Sequence, residues 1–361
     1  MARELRGYCT GVMSSSAHRA RQAVEQLAPG CFSVVMATGI DSVGLKLRGF
    51  SVLSGVLLTI AVCAFVVLVL LTVCRLLACR SEMSRDLRDP RRGFEFFTFV
   101  AGTNVVGVRV GMDGHYRVTA VLLVLAGVAW LLLGYVVPFL AVLERQERPT
   151  IAAANGTWFL WVVATQSVAI ALATLEPHAA HGRPEIALLA VMAWFLGIFL
   201  YALVAVVVAV RLGLFTFGPT DLTPPYWISM GALAITVLAG ARIVEMTDTP
   251  ILQMTGPLVA GSSAGFWALA TWLIPGLVVA EVWRHRRGGT AMTYQVALWS
   301  IAFPLGMYAV AAMDLGDADR LPTVELVGAV ELWLAVAGWA LVFAAMTAHL
   351  WRTASTAAIG R

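Results

Sequence analysis

Along the chain, runs of mostly apolar residues alternate with short polar stretches. Each run has the roughly 18 or more residues that a helix needs to cross the apolar core of a bilayer. Ten such runs fall near residues 29–46, 51–74, 94–111, 118–142, 156–175, 186–210, 225–243, 257–280, 292–313 and 326–350. The pattern predicts an all-α integral membrane protein of ten transmembrane helices joined by short loops.

Odd and even runs differ in kind. The even ones, such as 51–74 and 186–210, are dense in Val, Leu and Ala. The odd ones are interrupted by Gly, Thr, Ser, Asn, Gln and charges, as in PGCFSVVMATGIDSVGLKL, GFEFFTFVAGTNVVGVRV and GTWFLWVVATQSVAIALATL. Polar groups facing lipid are costly, so helices that carry them should face protein or water. Five repeats of this alternation predict five helical hairpins, with five inner helices around a central path and five outer helices sheathing them.

Composition agrees. Hydrophobic residues make up 60% of the 361 and charged residues 13%, and the mean hydropathy is +0.83. A water-soluble globule is excluded. The 25 basic residues, 24 arginines and Lys46, exceed the 21 acidic ones by four, which in such a protein reports loop orientation and gives no hint of nucleic-acid binding. Placing the N-terminus inside puts eighteen of the 25 on one side, including the six arginines from Arg75 to Arg92. Both termini are therefore expected in the cytoplasm, with the protein in the plasma membrane.

The chain divides into a tail over 1–28, with a surface helix expected from about Ala17 to Leu27, a membrane domain over 29–350 and a tail over 351–361. The first thirty residues hold no apolar stretch ahead of a cleavage site, so no signal peptide is expected. Cys9, Cys31, Cys63, Cys74 and Cys79 form an odd set without a C-x-x-C pair, and imply neither a disulfide framework nor a zinc site. The six histidines lie in tails, loops or helix ends, away from metal-ligand spacing. No metal, cofactor or covalent chemistry is expected, and an embedded enzyme, which would need a clustered His, Cys or carboxylate set, is the weaker alternative.

Several motifs have bland readings. Gly261-Ser-Ser263-Ala-Gly265 matches the G-x-S-x-G nucleophile elbow but lies in an apolar helix, where small residues allow close helix approach. Gly107 and Gly111 read the same way. Asn155-Gly156-Thr157 is a formal glycosylation sequon, yet Asn155 is better placed as a helix N-cap.

Ionisable residues in or beside the odd runs are functional candidates by default. They are Asp41, Glu95, Arg109, Arg242, Glu245 and Asp314, with Arg242 and Glu245 a turn apart and able to pair. Ser33, Ala37, Asp41 and Gly44 share one helix face and could line a path. In the ninth run, Phe303-Pro304-Leu-Gly306 sets a bulky ring beside a helix breaker. Phe303 could plug a narrow pore, with Gly306 and Val310 on the same face, or simply pack.

Five strings then carry a resemblance: PGCFSVVMATGI, FFTFVAGTNVVG, NGTWFLWVVATQSVA, DLTPPYWISMGALAITVLAG and WSIAFPLGMYA. In this order they resemble the tellurite-resistance and C4-dicarboxylate transporter family, which includes tellurite-resistance channels, fungal malate and sulfite transporters and plant slow anion channels. The resemblance implies five hairpins about a pseudo-fivefold axis and a homotrimer with one pore per subunit. It further implies a pore through the odd helices, blocked by a phenylalanine that Phe303 matches, and small anions or C4-dicarboxylates as the passengers. Pore-lining or selectivity candidates are Ser33, Ala37, Asp41, Gly102, Arg109, Thr165, Gln166, Ser229, Thr236, Arg242 and Gly306.

Asp41 departs from the family pattern, because an ionised carboxylate in a narrow pore repels anions. Three alternatives stand: Asp41 is protonated, is paired with a cation such as Arg109, or faces away from the path. The first leaves room for a proton-coupled carrier.

Overall fold

The computed structural model describes residues 24–144, 149–216, 218–247, 249–288 and 293–359. Most of the expected surface helix from Ala17 to Leu27 lies outside them. Among the described residues there are helices and no strands. Five helical hairpins follow one another: α1 (Ser33–Leu47) with α2 (Ser51–Ala78), then the short α3 (Arg80–Arg88). Next come α4 (Phe97–Gly111) with α5 (Tyr116–Pro138), α6 (Phe159–Leu175) with α7 (Arg183–Leu214), α8 (Ile228–Val244) with α9 (Pro250–Gly288), and α10 (Trp299–Ala318) with α11 (Pro322–Ile359).

Nine helices among the described residues are long and apolar enough to cross a membrane. The expected tenth, α4, is not among these nine. It is 15 residues long and carries Thr98, Thr103, Asn104 and Arg109, a polar load that only a helix enclosed by others can bear.

The inner helices α1, α4, α6, α8 and α10 pack against one another in that order, and α10 returns to α1, so the cycle closes. Each also packs against the outer helix that follows it. Successive hairpins are stitched as well. The indole N–H of Trp130 on α5 donates to Thr165 Oγ1 on α6 at 2.9 Å, that of Trp194 on α7 to the Thr236 carbonyl on α8 at 2.9 Å, and that of Trp339 on α11 to Thr38 Oγ1 on α1 at 2.9 Å. Tyr308 on α10 shares a hydrogen bond with Thr271 of α9. A tryptophan suits this work because its large apolar body packs while its single donor finds a partner.

Polar residues on the inner helices are mostly satisfied within their own helix. Thr38, Thr103, Thr165, Thr174 and Thr236 each donate to the carbonyl four residues back at 2.7–2.8 Å, which is how a hydroxyl is carried through a low-dielectric layer. Each inner helix is entered through a 3-10 turn, at Pro29–Phe32, Gly93–Phe96, Gly156–Trp158, Pro224–Trp227 and Val296–Leu298. All five therefore begin at the same end of the molecule. At the other end tight loops close the hairpins, with Gly49 and Gly114 in the left-handed region at φ 79° and 87°, a conformation that glycine adopts without penalty.

Small residues set the helix spacing. A Cβ on Gly240 would meet Ser263 Oγ, and one on Gly111 would lie 2.8 Å from Thr119 Oγ1. Ser263 is thus a close-approach residue of α9, its hydroxyl donating to the Val259 carbonyl at 2.8 Å. Gly261 and Gly265 face open space, so close approach at that motif comes from Ser263 and Gly240.

Candidate functional site: an axial path through the inner helices

Two cavities lie within the cycle, each lined by all five inner helices or their entry turns. At the end where these helices begin, a vestibule with about 180 Å3 of space for the centres of water molecules is lined by Gly30, Ser33, Glu95, Thr98, Thr157, Leu160, Pro225 and Ser300, among others. Glu95 Oε2 accepts a hydrogen bond from the Gly30 N–H at 3.1 Å, tying two entry turns together at the mouth. Arg92 shares this vestibule and pairs with Asp86 at 2.7 Å.

Toward the opposite end lies a narrow cavity lined by Ile40 and Val43 of α1, Asn104, Val105 and Val108 of α4, Ser167 and Ile170 of α6, Ile235, Leu238 and Arg242 of α8, and Met307 of α10. The space in it that can hold the centre of a water molecule is about 20 Å3, the scale of a single water. Arg242 also lines an outer pocket, with about 250 Å3 of such space, together with Thr174, His178, Tyr116 and Glu245. It therefore stands where the narrow cavity meets that pocket. Arg242 Nε pairs with Asp314 Oδ2 at 2.6 Å and its Nη1 with Glu245 Oε2 at 3.5 Å.

On α10, Phe303 falls between the residues that line the two cavities. Ser300 lines the vestibule and Met307 the narrow cavity, about 10 Å apart along α10 at 1.5 Å per residue. Phe303 follows the first by three residues and precedes the second by four, so it shares their face of the helix. It is 1% exposed. Its neighbours point sideways: Pro304 packs over Gly231 of α8, and Gly306 lies against Ile40 and Asp41 of α1. Phe303 is not among the residues that line either cavity.

A family model described as voltage-dependent anion channel matches residues 26–347. The chain belongs to that family. Among its relatives, an uncharacterized membrane protein of Mycobacterium tuberculosis is 52% identical over 163 residues, 45% of this chain and 80% of the relative. An uncharacterized transporter of Methanocaldococcus jannaschii is 24% identical over 327 residues, 88% of this chain and 92% of the relative. A second transporter of that organism is 22% identical over 315 residues, covering 85% and 90%. The family expected from the five strings is the one found, and the protein is a multi-pass membrane protein of a transport family.

Within this anion-channel family architecture, the candidate residues separate into two groups. Ser33 lines the vestibule and Arg242 the narrow cavity, and Phe303 falls between the α10 residues that line the two. Ala37 is fully buried, and Ser229, half-buried, donates to the Tyr226 carbonyl at 2.7 Å. Neither lines the vestibule or the narrow cavity. The remaining candidates face other helices. Gly102 faces Val35 of α1. Thr165 is bonded by Trp130 of the outer layer, Gln166 Nε2 donates to the Trp194 carbonyl of α7 at 3.2 Å, and the Thr236 hydroxyl is committed to Ala232. Hydroxyl and amide groups on the inner helices here hold helices together more often than they face the path.

Arg109 is the clearest correction. It is 1% exposed, and its guanidinium donates to Ser42 Oγ at 2.9 Å, to Ser54 Oγ at 2.8 and 3.1 Å and to Asp113 Oδ2 at 2.8 Å. It braces α4 against α1 and α2, lines neither axial cavity, and does not pair with Asp41. Asp113, in the loop beyond α4, is also bound by Lys46 Nζ at 2.8 Å. The hydrogen bond from Lys46, with that from Arg109, holds its carboxyl below the usual aspartate range.

Asp41 is fully buried, and neither carboxylate oxygen has a hydrogen-bond partner. It lies in the seam between α1 and α10, where a Cβ on Gly306 would meet its Oδ1. The stripe of Ser33, Ala37, Asp41 and Gly44 therefore divides: Ser33 lines the vestibule, while Asp41 turns toward α10 and Gly44 toward Leu332 of α11 and Val310 of α10. Asn155 caps its turn as expected, accepting from the Thr157 N–H at 2.8 Å.

Two lining residues escaped the sequence reading. Asn104 and Ser167 are hydrogen-bonded to each other at 2.9 Å inside the narrow cavity. Both stand in the quoted strings, but their neighbours Thr165 and Gln166 offered equally polar groups one or two positions away. Only the angular register of α6 distinguishes them.

Proposed function

We propose that this protein moves small anions across the plasma membrane along the axis of its inner helices, with Phe303 as the constriction. The observation that carries this reading is the pair of cavities, each lined by all five inner helices or their entry turns, with Phe303 falling in sequence between Ser300 of the one and Met307 of the other. Each end of the path presents a positive group, set beside Glu95 at the vestibule and paired with Asp314 and Glu245 at the far end. Five helix entries converge on the vestibule, and helix N-termini present unpaired N–H groups and a partial positive charge. At the far end Arg242 projects into the narrow cavity. The excess of basic residues on the vestibule side makes that side the cytoplasmic one.

The test is anion current and tracer uptake in proteoliposomes holding wild-type or Phe303→Ala protein. Phe303→Ala should raise the flux of chloride and nitrate at least several-fold without loss of folded protein. Unchanged flux in a folded variant, with wild-type flux measurable, rejects the constriction.

A second reading, a proton-coupled carrier of dicarboxylates such as malate or succinate, is favoured by one observation. Asp41 is a buried carboxyl without a hydrogen-bond partner, set against Gly306 one turn from Phe303. A group so placed can hold a proton as its neutral form. Under this reading, uptake against a gradient follows an imposed pH difference, and Asp41→Asn abolishes that dependence. Assembly as a homotrimer belongs to either reading, and the mass of the detergent-solubilised protein tests it.

A further inference from the structure

The narrow cavity is apolar apart from Arg242, Asn104 and Ser167, and the last two are ordered in a way that fixes what the cavity offers. Ser167 Oγ donates its single proton to the Ala164 carbonyl at 2.7 Å. Toward Asn104, 2.9 Å away, it can only accept. The Asn104 atom facing it must therefore be the amide nitrogen, since the reversed amide would set two acceptors against each other. The consequence falls on the other half of the amide: Asn104 Oδ1, on a residue 1% exposed, is buried without a partner. Asn104 lines the cavity from α4, so this fixed hydrogen-bond acceptor belongs to its wall, and the Arg242 guanidinium, paired with Asp314 and Glu245, lines it from α8.

An acceptor is an odd fitting for a path that carries halide or nitrate, which bring only lone pairs and meet a carbonyl oxygen with repulsion. It suits an anion that brings a donor of its own. We infer that the cavity selects small monoanions that still bear an O–H, the hydrogen carbonate class of singly protonated oxyanions, with that O–H donated to Asn104 Oδ1 and the negative oxygens turned toward Arg242. The inference rests on the anion-path reading above and narrows its substrate class.

Hydrogen carbonate and nitrate make a matched pair of probes, both planar, singly charged and built on three oxygens, and differing in the O–H. Reversal potentials are measured in bilayers at one pH, with hydrogen carbonate and dissolved carbon dioxide equal on both sides and nitrate replaced on one side by an impermeant anion, so that they report the permeability ratio of the two ions. The proteins are Phe303→Ala and the double variants that add Asn104→Leu or Ser167→Ala. Asn104→Leu removes the acceptor at similar volume. Ser167→Ala removes only the lock, so the amide can turn its N–H toward the passing ion, and it is mild enough to fold where the other does not.

Both should lower the hydrogen carbonate to nitrate permeability ratio by about five-fold, the scale of one neutral hydrogen bond, while nitrate current persists. A ratio unchanged in folded Asn104→Leu or Ser167→Ala protein, with nitrate current present, overturns the inference and leaves the anion path standing. That is also the outcome if Oδ1 merely holds a water. If neither anion moves in any of the proteins, by current or by tracer, the anion path itself fails and the inference with it.

Discussion

The inner and outer helices of this protein invert the usual relation between apolarity and burial. The most hydrophobic helices, α2, α5 and α7, have only 17%, 11% and 39% of an apolar 18-residue stretch buried, whereas the corresponding stretches of α1 and α8, which carry more polar residues, are 83% buried. In water the apolar helix would be the core. In lipid an apolar surface costs nothing to expose, and it is the polar groups that must be enclosed. Glycines follow the same line where they face away from the inner helices, whereas Gly197 and Gly328 of the outer layer are tight because they meet Gln166 and Ala309 of the inner one. A Cβ on Gly55, Gly127, Gly256 or Gly276 of the outer helices would meet nothing within 4 Å, while one on Gly39 or Gly231 of the inner helices would approach a neighbour to 2.6 or 2.9 Å.

The largest effect that this comparison predicts is at Arg109. Replacing it by Met strips four hydrogen bonds and leaves Ser42 and Ser54 facing each other in the interior, which should cost about 3 kcal/mol. The variant should melt well below wild type in detergent, and an unchanged melting temperature would mean that the brace contributes little. Next comes the tight packing of α11 on α10. A Cβ on Gly328 would lie 2.6 Å from the Ala309 carbonyl, so Gly328→Val should destabilise by about 2 kcal/mol through overpacking. Gly276→Ala, in open space, should stay within about 1 kcal/mol of wild type and lean toward stabilisation, as glycine is the poorer helix former.

The smallest effect concerns pH. Lys46 and Arg109 depress the Asp113 carboxyl, so its contribution is fully present above the ordinary aspartate value of about 4 and is lost as pH falls through the lower folded value. Asp113 is one-third exposed, and solvent screening limits the effect to under about 1 kcal/mol. Melting curves between pH 6 and pH 3 should show an acid limb that is shallower in Asp113→Asn.

The alternation of polar and apolar runs made the five hairpins and the identity of their inner members legible before any coordinates. That pattern is a direct consequence of the solvent, so it survives into the fold. Which polar side chain faces the path was not legible, because the inner helices are buried all round and a polar residue has four directions in which to be satisfied. Thr165 and Gln166 turn to the outer layer and Ser167 to the axis, although the three are adjacent. Arg109 and Arg242 each lie in the last turn of an inner helix, yet one is a brace and the other lines the axial cavity. The difference lies in what stands opposite: the Ser42 and Ser54 hydroxyls for Arg109, the cavity for Arg242.

The central claim is that the inner helices enclose an aqueous path interrupted at Phe303. The most direct test uses single cysteines in a cysteine-free background, probed with a small anionic methanethiosulfonate reagent from one side of the membrane at a time. Ser300→Cys should react only from the vestibule side and Val108→Cys only from the other, with lipid-facing Val66→Cys inert to both. Adding Phe303→Ala should let Val108→Cys react from either side. If both inner positions proved reachable from one side with Phe303 in place, or neither reacted while Val66→Cys did, the path would not run where these helices enclose it.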